Sequence, residues 1–171
     1  MAVASDAYKA GMRRLAAGVT LITTPGAAGP SGLTATAVCS VSADPPILLC
    51  CVNRGSASHA ALLEAGVFAV NVLSTADRPL SDRFAGRLTP AEKFAEGEWG
   101  VLETGSPVLA SALAAFDCRL VQAVDAGTHA VLFGEVQAVT VADDPELHGL
   151  LYADGGYGRF ATPSDDIDQG F

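Results

Sequence analysis

Gly32-Leu33-Thr34-Ala35-Thr36-Ala37-Val38-Cys39-Ser40-Val41-Ser42 is the stretch on which the reading of this chain turns. It reads as extended from Gly32 to Val41, yet it is full of small residues: Thr34, Ala35, Thr36, Ala37 and Ser40. Before it, Val19–Thr24 is apolar and β-branched, the composition of a strand. Between the two, 25–31 is a Gly/Pro/Ala turn, so the chain doubles back there as a hairpin. After it, Pro45-Pro46 breaks any regular element, and Ile47–Val52 is a continuous apolar run, the pattern of a strand buried on both faces.

The same alternation of strand and turn continues outward. Val67–Leu73 reads as another buried strand. Phe116–Val124 and His129–Val141 read as two long strands joined by the loop Asp125-Ala126-Gly127-Thr128, and Leu150–Tyr152 adds a short one. Helical patterns are brief. They cover Tyr8–Ala17 with Gly18 just past the end, Ala60–Ala65 ended by Gly66, and Thr75–Phe84. A fourth short helix starts at Thr89-Pro90-Ala91-Glu92, with threonine as N-cap, proline at the first turn and glutamate closing a capping box. Strands without regular strand–helix alternation indicate a mainly β chain, a closed antiparallel barrel with helical insertions. There is no G-x-G-x-x-G between strand and helix and no P-loop, so any nucleotide phosphate must be held by another device.

Composition narrows the class. At 171 residues, half hydrophobic and 17% charged, the chain is globular and long enough for one domain with a real core. A net charge of -9 disfavours nucleic acid and anionic membrane as partners. No run approaches the about 20 apolar residues of a membrane span, and Met1–Arg14 does not read as a signal peptide. Cys39, Cys50, Cys51 and Cys118 form no C-x-x-C pair, so structural zinc is not expected; they read as buried reduced thiols, Cys50 and Cys51 pointing to opposite faces. The three histidines are too scattered to suggest a metal. The composition fits a cytoplasmic protein. Residues 1–161 read as the domain, and 162–171, with Asp165, Asp166 and Asp168, as an acidic and mobile tail.

Four segments could carry chemistry. Small side chains in Gly32–Ser42 let a flat aromatic ring approach backbone amides; the same residues equally suit simple packing. Asn53-Arg54-Gly55-Ser56-Ala57-Ser58-His59 leads into a helix whose free N–H groups favour an anion; ordinary capping by Ser56 or Ser58 explains it as well. Arg83-Phe84-Ala85-Gly86 and Lys93-Phe94 set cations beside aromatics, either as phosphate contacts or as surface charge over core rings. His129 opens a strand after a glycine turn, where it could face a ring or a nicotinamide, or simply be a half-exposed strand residue.

Taken in order, these stretches resemble the flavin reductase-like family of FMN-binding split barrels, which includes reductase components of two-component flavin-dependent monooxygenases. The resemblance runs from Tyr8 to Phe160. It rests on Ala17-Gly18-Val19-Thr20 with Thr23-Thr24, Gly32–Ala35 through Ser40-Val41-Ser42 to Asp44-Pro45-Pro46, Val52-Asn53-Arg54 through Ser58-His59, Phe68-Ala69-Val70-Asn71-Val72-Leu73, and His129 through Gly134-Glu135-Val136. It implies a Greek-key split β-barrel working as a homodimer. It implies FMN, with FAD as the alternative, reduced by NADH or NADPH and supplied to a partner monooxygenase. By matching motif, Thr34, Ala35, Thr36, Ser40, Val41 and Ser42 would line the flavin ring, ribityl chain and phosphate. Cys51, Val52 and Asn53 would follow the ring edge, and Ser56, Ser58 and His59 the phosphate end, with Phe84, Ala85, Lys93 and Phe94 closing over it. His129, the catalytic candidate, and Tyr157 would meet the nicotinamide. The chain departs from the family at Thr128, where relatives often carry aspartate, and at Asp154, where they often carry a basic residue. A same-fold enzyme with another donor or acceptor, or a flavin carrier without turnover, are the competing readings.

Overall fold

The structure is a computed structural model that describes residues 3–160. The expected tail 162–171 and the domain limit at 161 lie outside the described residues. In chain order the elements are helix α1 (Ser5–Met12), strands β1 (Ala17–Gly18), β2 (Thr20–Thr24), β3 (Ser31–Ala35), β4 (Val38–Ala43) and β5 (Pro46–Asn53), helix α2 (Ala57–Ala65) and β6 (Val67–Val72). A 3-10 turn (Thr75–Asp77) leads into α3 (Arg78–Ala85) and α4 (Pro90–Lys93). Strands β7 (Trp99–Val101), β8 (Pro107–Leu109), β9 (Ala114–Ala126), β10 (His129–Val141), β11 (Leu150–Ala153) and β12 (Gly156–Arg159) complete the chain.

The main sheet has seven antiparallel strands in the order β3-β2-β6-β9-β10-β5-β4. Its two edge strands are consecutive in sequence, joined only by Thr36 and Ala37. A flat sheet of this many strands would be about 29 Å across at ~4.8 Å per strand. Three chain steps from Ala35 to Val38 cover at most about 11 Å. The sheet therefore has to curl until its edges meet, which makes it a barrel. No ladder joins β3 to β4; the Thr20 hydroxyl donates to the Ala35 carbonyl at 2.8 Å within the β2–β3 pair, and the Cys51 N–H donates to the Ala37 carbonyl at 2.9 Å, which ties the link to β5. This unlaced seam is the split, and the Greek-key order places it beside α2, which crosses from β5 to β6.

Ile22, Val52, Leu62, Phe68, Val70 and Leu132 fill the barrel. A second cluster, Val19, Leu21, Leu73, Phe84, Leu109 and Leu150, lies under α3, with Phe94 and Trp99 packed on it. Phe84 and Phe94 stand edge-on at 5.0 Å, and the Phe94 and Trp99 rings lie tilted at 4.8 Å.

Several elements depart from the sequence reading. β5 is not buried on both faces: Leu48, Cys50 and Val52 point inward, while Ile47, Leu49 and Cys51 are half-buried, because a closed barrel has only one interior. The helix expected over Tyr8–Ala17 ends at Met12, and Gly18 is no helix cap; Ala17 and Gly18 pair with Tyr152 and Leu151 of β11. α2 begins at Ala57 rather than Ala60, with Ser56 as its N-cap, so Ser58 and His59 lie inside its first turn. Cys39 is exposed rather than buried; Cys50 and Cys118 are enclosed. Strands β7, β8 and β12 were not foreseen. The Thr89–Glu92 capping box is present: the Glu92 carboxylate accepts from the Thr89 N–H at 2.8 Å and its hydroxyl at 2.7 Å, which holds that carboxyl below its usual range.

Candidate active site

The two runs of small, hydroxyl-bearing residues meet at the carbonyl of Gly32. The Ser58 hydroxyl donates to it at 2.9 Å, and the Lys93 ammonium at 3.1 Å. Ser31 in turn donates to Ser58 at 2.9 Å, and Lys93 also donates to the Phe84 carbonyl at 3.0 Å. Three elements far apart in sequence, β3, the start of α2 and α4, are thereby fixed to one point. Burial lowers the Lys93 pKa. It makes two bonds from three N–H groups, which leaves one to offer a ligand.

At the same corner, Ser56 accepts the Ser58 N–H at 3.2 Å as the N-cap of α2. The capping reading of this segment is therefore met by Ser56. His59 Nε2 is shielded from solvent and has no hydrogen-bond partner among the described residues. A buried polar atom without a partner is costly, and a ligand oxygen would satisfy it. The Ser56 hydroxyl, the free N–H groups of the α2 start, the partnerless His59 nitrogen and the third N–H of Lys93 are the donors in this region not already spent within the fold, and groups of this kind suit a phosphate monoester.

β4 is an edge strand, laddered to β5 on one side only. Thr36, Ala37, Cys39, Ser40 and Val41 are exposed along it. Its outer backbone groups and short side chains suit the polar rim of a flat heterocycle. Asn53 accepts the Gly55 N–H at 2.8 Å and stands directly opposite His129 in the β5–β10 register. His129 is half-buried, and its Nδ1 lies 2.9 Å from the Thr128 hydroxyl. Thr128 thus orients the imidazole through a hydroxyl at the position where a carboxylate was expected. The Arg54 N–H donates to the Thr128 carbonyl at 3.0 Å, and Arg54 pairs with Asp125 at 3.2 Å, which pins this turn to the Asn53 turn.

On the other flank a pocket of about 230 Å³ is lined by Thr34, Ala35, Thr36, Ser81, Tyr152 and Tyr157, with Ala85 at its wall. Thr34 donates to the Ser81 carbonyl at 2.7 Å. The Tyr157 hydroxyl donates to Asp82 at 2.9 Å and accepts from Ser81 at 2.9 Å; partial burial raises its pKa. Arg78 lies over the Tyr157 ring at 5.0 Å, and Tyr152 meets it edge-on at 5.3 Å.

Not every expected residue joins these surfaces. Ser40 and Ser42 line a different cavity of about 220 Å³ with Ile47, Leu48, Phe116 and Val136. The Val52 and Phe84 side chains, 0% and 1% exposed, are core, so they offer a ligand no side-chain surface; Phe94 packs on the same core from the α4 side. Cys51 presents its thiol on the outer face, raised in pKa by partial burial.

Ser31, Ser81, Asp82 and Tyr152 were missed. Ser31 and Ser81 act through contacts 27 and 47 residues away, which no local pattern announces. Tyr152 had a signal: Asp154 and Gly155, with φ of 50° and 81°, form the Asp-Gly turn of a hairpin that sets Tyr152 opposite Tyr157. Asp154, the apparent family departure, is the residue such a turn accepts.

The α2 start, the open edge of β4 and the imidazole held by Thr128 are thus the candidate binding surfaces of a split barrel. The chain belongs to the flavin reductase like domain family, whose pattern matches residues 12–161. It is 47% identical to FMN reductase (NADH) RutF 2 of Methylorubrum extorquens, covering 98% of this chain and 96% of that one. It is 50% identical to FMN reductase (NADH) RutF of Agrobacterium fabrum over 88% of this chain and 85% of that one. Among solved structures it resembles the NADH:FAD oxidoreductase SgcE6 of Streptomyces globisporus, with a TM-score of 0.86, 30% identity and coverage of 95% and 98%. It also resembles BorF, the flavin reductase component of a bacterial two-component tryptophan halogenase, with a TM-score of 0.84, 33% identity and coverage of 93% and 99%.

Proposed function

We propose that this chain is an NADH-dependent FMN reductase that supplies reduced flavin to a partner monooxygenase. The observation that carries the assignment of the site is the junction at Gly32. There the β3 run and the Ser56–His59 helix start converge, leaving one buried imidazole nitrogen without a partner.

The flavin supplies the redox chemistry: it accepts hydride from the nicotinamide. The protein's task is to hold both rings in contact and keep their geometry. Ser56, His59 and the third N–H of Lys93 would hold the phosphate at the start of α2, while Ser58, whose one O–H is spent on Gly32, ties that start to β3. Thr36 and the free edge of β4 border the heterocycle, with Asn53 and the outward thiol of Cys51 alongside. Backbone N–H groups on that edge stabilise negative charge as it grows on the ring. His129, held by Thr128, borders the nicotinamide and positions it without transferring a proton, since hydride transfer requires none. Thr34, Ser81 and Tyr157 form the opposite wall.

The site lies along the exposed edge of β4 and the half-buried outer face of β5, which supports a homodimer that covers it. Free thiols such as Cys39 and Cys51 go with a cytoplasmic setting.

The test is steady-state oxidation of NADH and NADPH with FMN and FAD supplied in turn. The reading requires NADH consumption that depends on added flavin and on no other substrate. Flavin binding without NADH consumption would make the chain a carrier instead.

A further inference from the structure

The pocket beside Tyr157 continues past its own wall. It shares Thr36 and Tyr152 with a groove of about 330 Å³ under α1, where Tyr8, Lys9, Met12 and Arg13 lie across from Tyr152, Asp154 and Gly155, the Asp154 carboxylate being taken up by Arg14. α1 buries none of its residues: Tyr8 is 58% exposed and Met12 45%. The segment is fastened just beyond the helix, where the Asp154 N–H donates to the Arg13 carbonyl at 2.8 Å and Arg14 pairs with Asp154 at 3.2 Å.

Lys9 and Arg13 stand one helical turn apart, so they share a face. Neither side chain makes an ion pair or hydrogen bond among the described residues. With Arg14 they are three of the ten Lys and Arg in a chain of net charge -9, so this cluster runs against the field of the whole protein. Unspent cations over a cavity with tyrosines on both sides suit a phosphate attached to an aromatic base.

We infer that the α1 groove receives the adenylate half of NADH, with Lys9 and Arg13 on its phosphate and Tyr8 and Tyr152 against the adenine. This rests on the NADH-dependent reading above. The groove adjoins Thr36 and the tyrosine hairpin, where Tyr157 is the residue expected to meet the nicotinamide from the wall across from His129, and it does not adjoin the Ser56–His59 helix start. The adenylate half of FAD would instead leave from the phosphate end of the flavin.

The experiment compares FMN-supported oxidation of NADH with that of reduced nicotinamide mononucleotide, which lacks the adenylate half, in wild type and in Lys9→Ser/Arg13→Ser. The KM for NADH should rise about 5- to 20-fold in the double variant, as expected for loss of partly screened contacts to a charged phosphate. Its kcat should hold, and the preference of the enzyme for NADH over the mononucleotide should shrink. Raising ionic strength should weaken NADH in the wild type more than in the variant. An unchanged KM for NADH overturns the inference, as does an equal loss with both donors. A selective loss of FAD binding assigns the groove to FAD and also overturns it. Wild-type protein that oxidises neither donor overturns the functional reading itself, a result separable from failure of the variant.

Discussion

The Ser58 hydroxyl donates to the Gly32 carbonyl at 2.9 Å, across 26 residues of sequence, and so joins the helix start that would hold a phosphate to the strand that borders the ring. Gly32 keeps Lys93 as a second donor, so Ser58→Ala removes one of two ties and the fold should survive. Loss of one buried hydrogen bond should cost about 1–2 kcal/mol of stability. FMN affinity should fall about tenfold, since the helix start loses its tie to β3. Urea unfolding and a flavin fluorescence titration measure the two effects.

Gly32 has no room for a side chain. A Cβ there would sit 2.8 Å from Phe84 Cε1 and 3.0 Å from the Ile22 carbonyl oxygen. Phe84 is enclosed by Phe94 and Trp99 and has little space to withdraw. Gly32→Ala should destabilise by about 1–3 kcal/mol. Adding Phe84→Leu should recover part of that loss, which a double-mutant cycle of melting curves reads out.

His129→Ala should slow NADH oxidation while leaving FMN affinity nearly intact, because its side chain is assigned to the nicotinamide. Thr128→Ala should produce a milder version of the same effect by releasing Nδ1. Stopped-flow reduction of bound flavin, set beside the titration, separates the steps. Collapse of flavin affinity with normal turnover per bound flavin would contradict this role.

Cys50 and Cys118 have their thiol pKa raised to about 12, in each case chiefly by burial. The unfolded chain ionises near the ordinary value of 9.0, so above that pH it binds fewer protons than the folded chain. Stability from these two groups is complete below pH 9 and is lost between 9 and 12, at up to about 1.4 kcal/mol per pH unit for each thiol. Cys50→Ala and Cys118→Ala should each flatten the alkaline fall of the unfolding free energy. Cys39, which is exposed, should be alkylated first in the native protein.

Much of the architecture was legible because it is local. The β2–β3 and β9–β10 hairpins announce themselves through Gly-rich turns between β-branched runs, and the Thr89 capping box is written in four residues. The barrel itself was expected from strands without helix alternation, but the burial of single strands was less legible: Ile47–Val52 looks like a strand buried on both sides, since a run of apolar residues does not reveal that one face of a curled sheet stays open. Short strands such as Trp99–Val101 exist through pairing with Pro107–Leu109 and carry no pattern of their own. Among the candidate site residues, Ser58, His59 and His129 could be nominated from residue type at a helix or strand start, and Lys93 from a cation beside an aromatic at a helix end. Ser81 and Asp82 were not, since only the packing of α3 beside β3 and the tyrosine hairpin gives them a role.

The central claim is that the Thr34–Thr36 strand end and the Ser56–His59 helix start form one flavin slot used by NADH. The most direct measurement is NADH absorbance followed with the purified protein, with and without FMN, paired with a titration of FMN into the wild type and Ser58→Ala. The account predicts FMN-dependent loss of NADH, saturable FMN binding, and weakened binding in the variant. Absence of flavin binding by the wild type, or binding indifferent to Ser58→Ala, would contradict it.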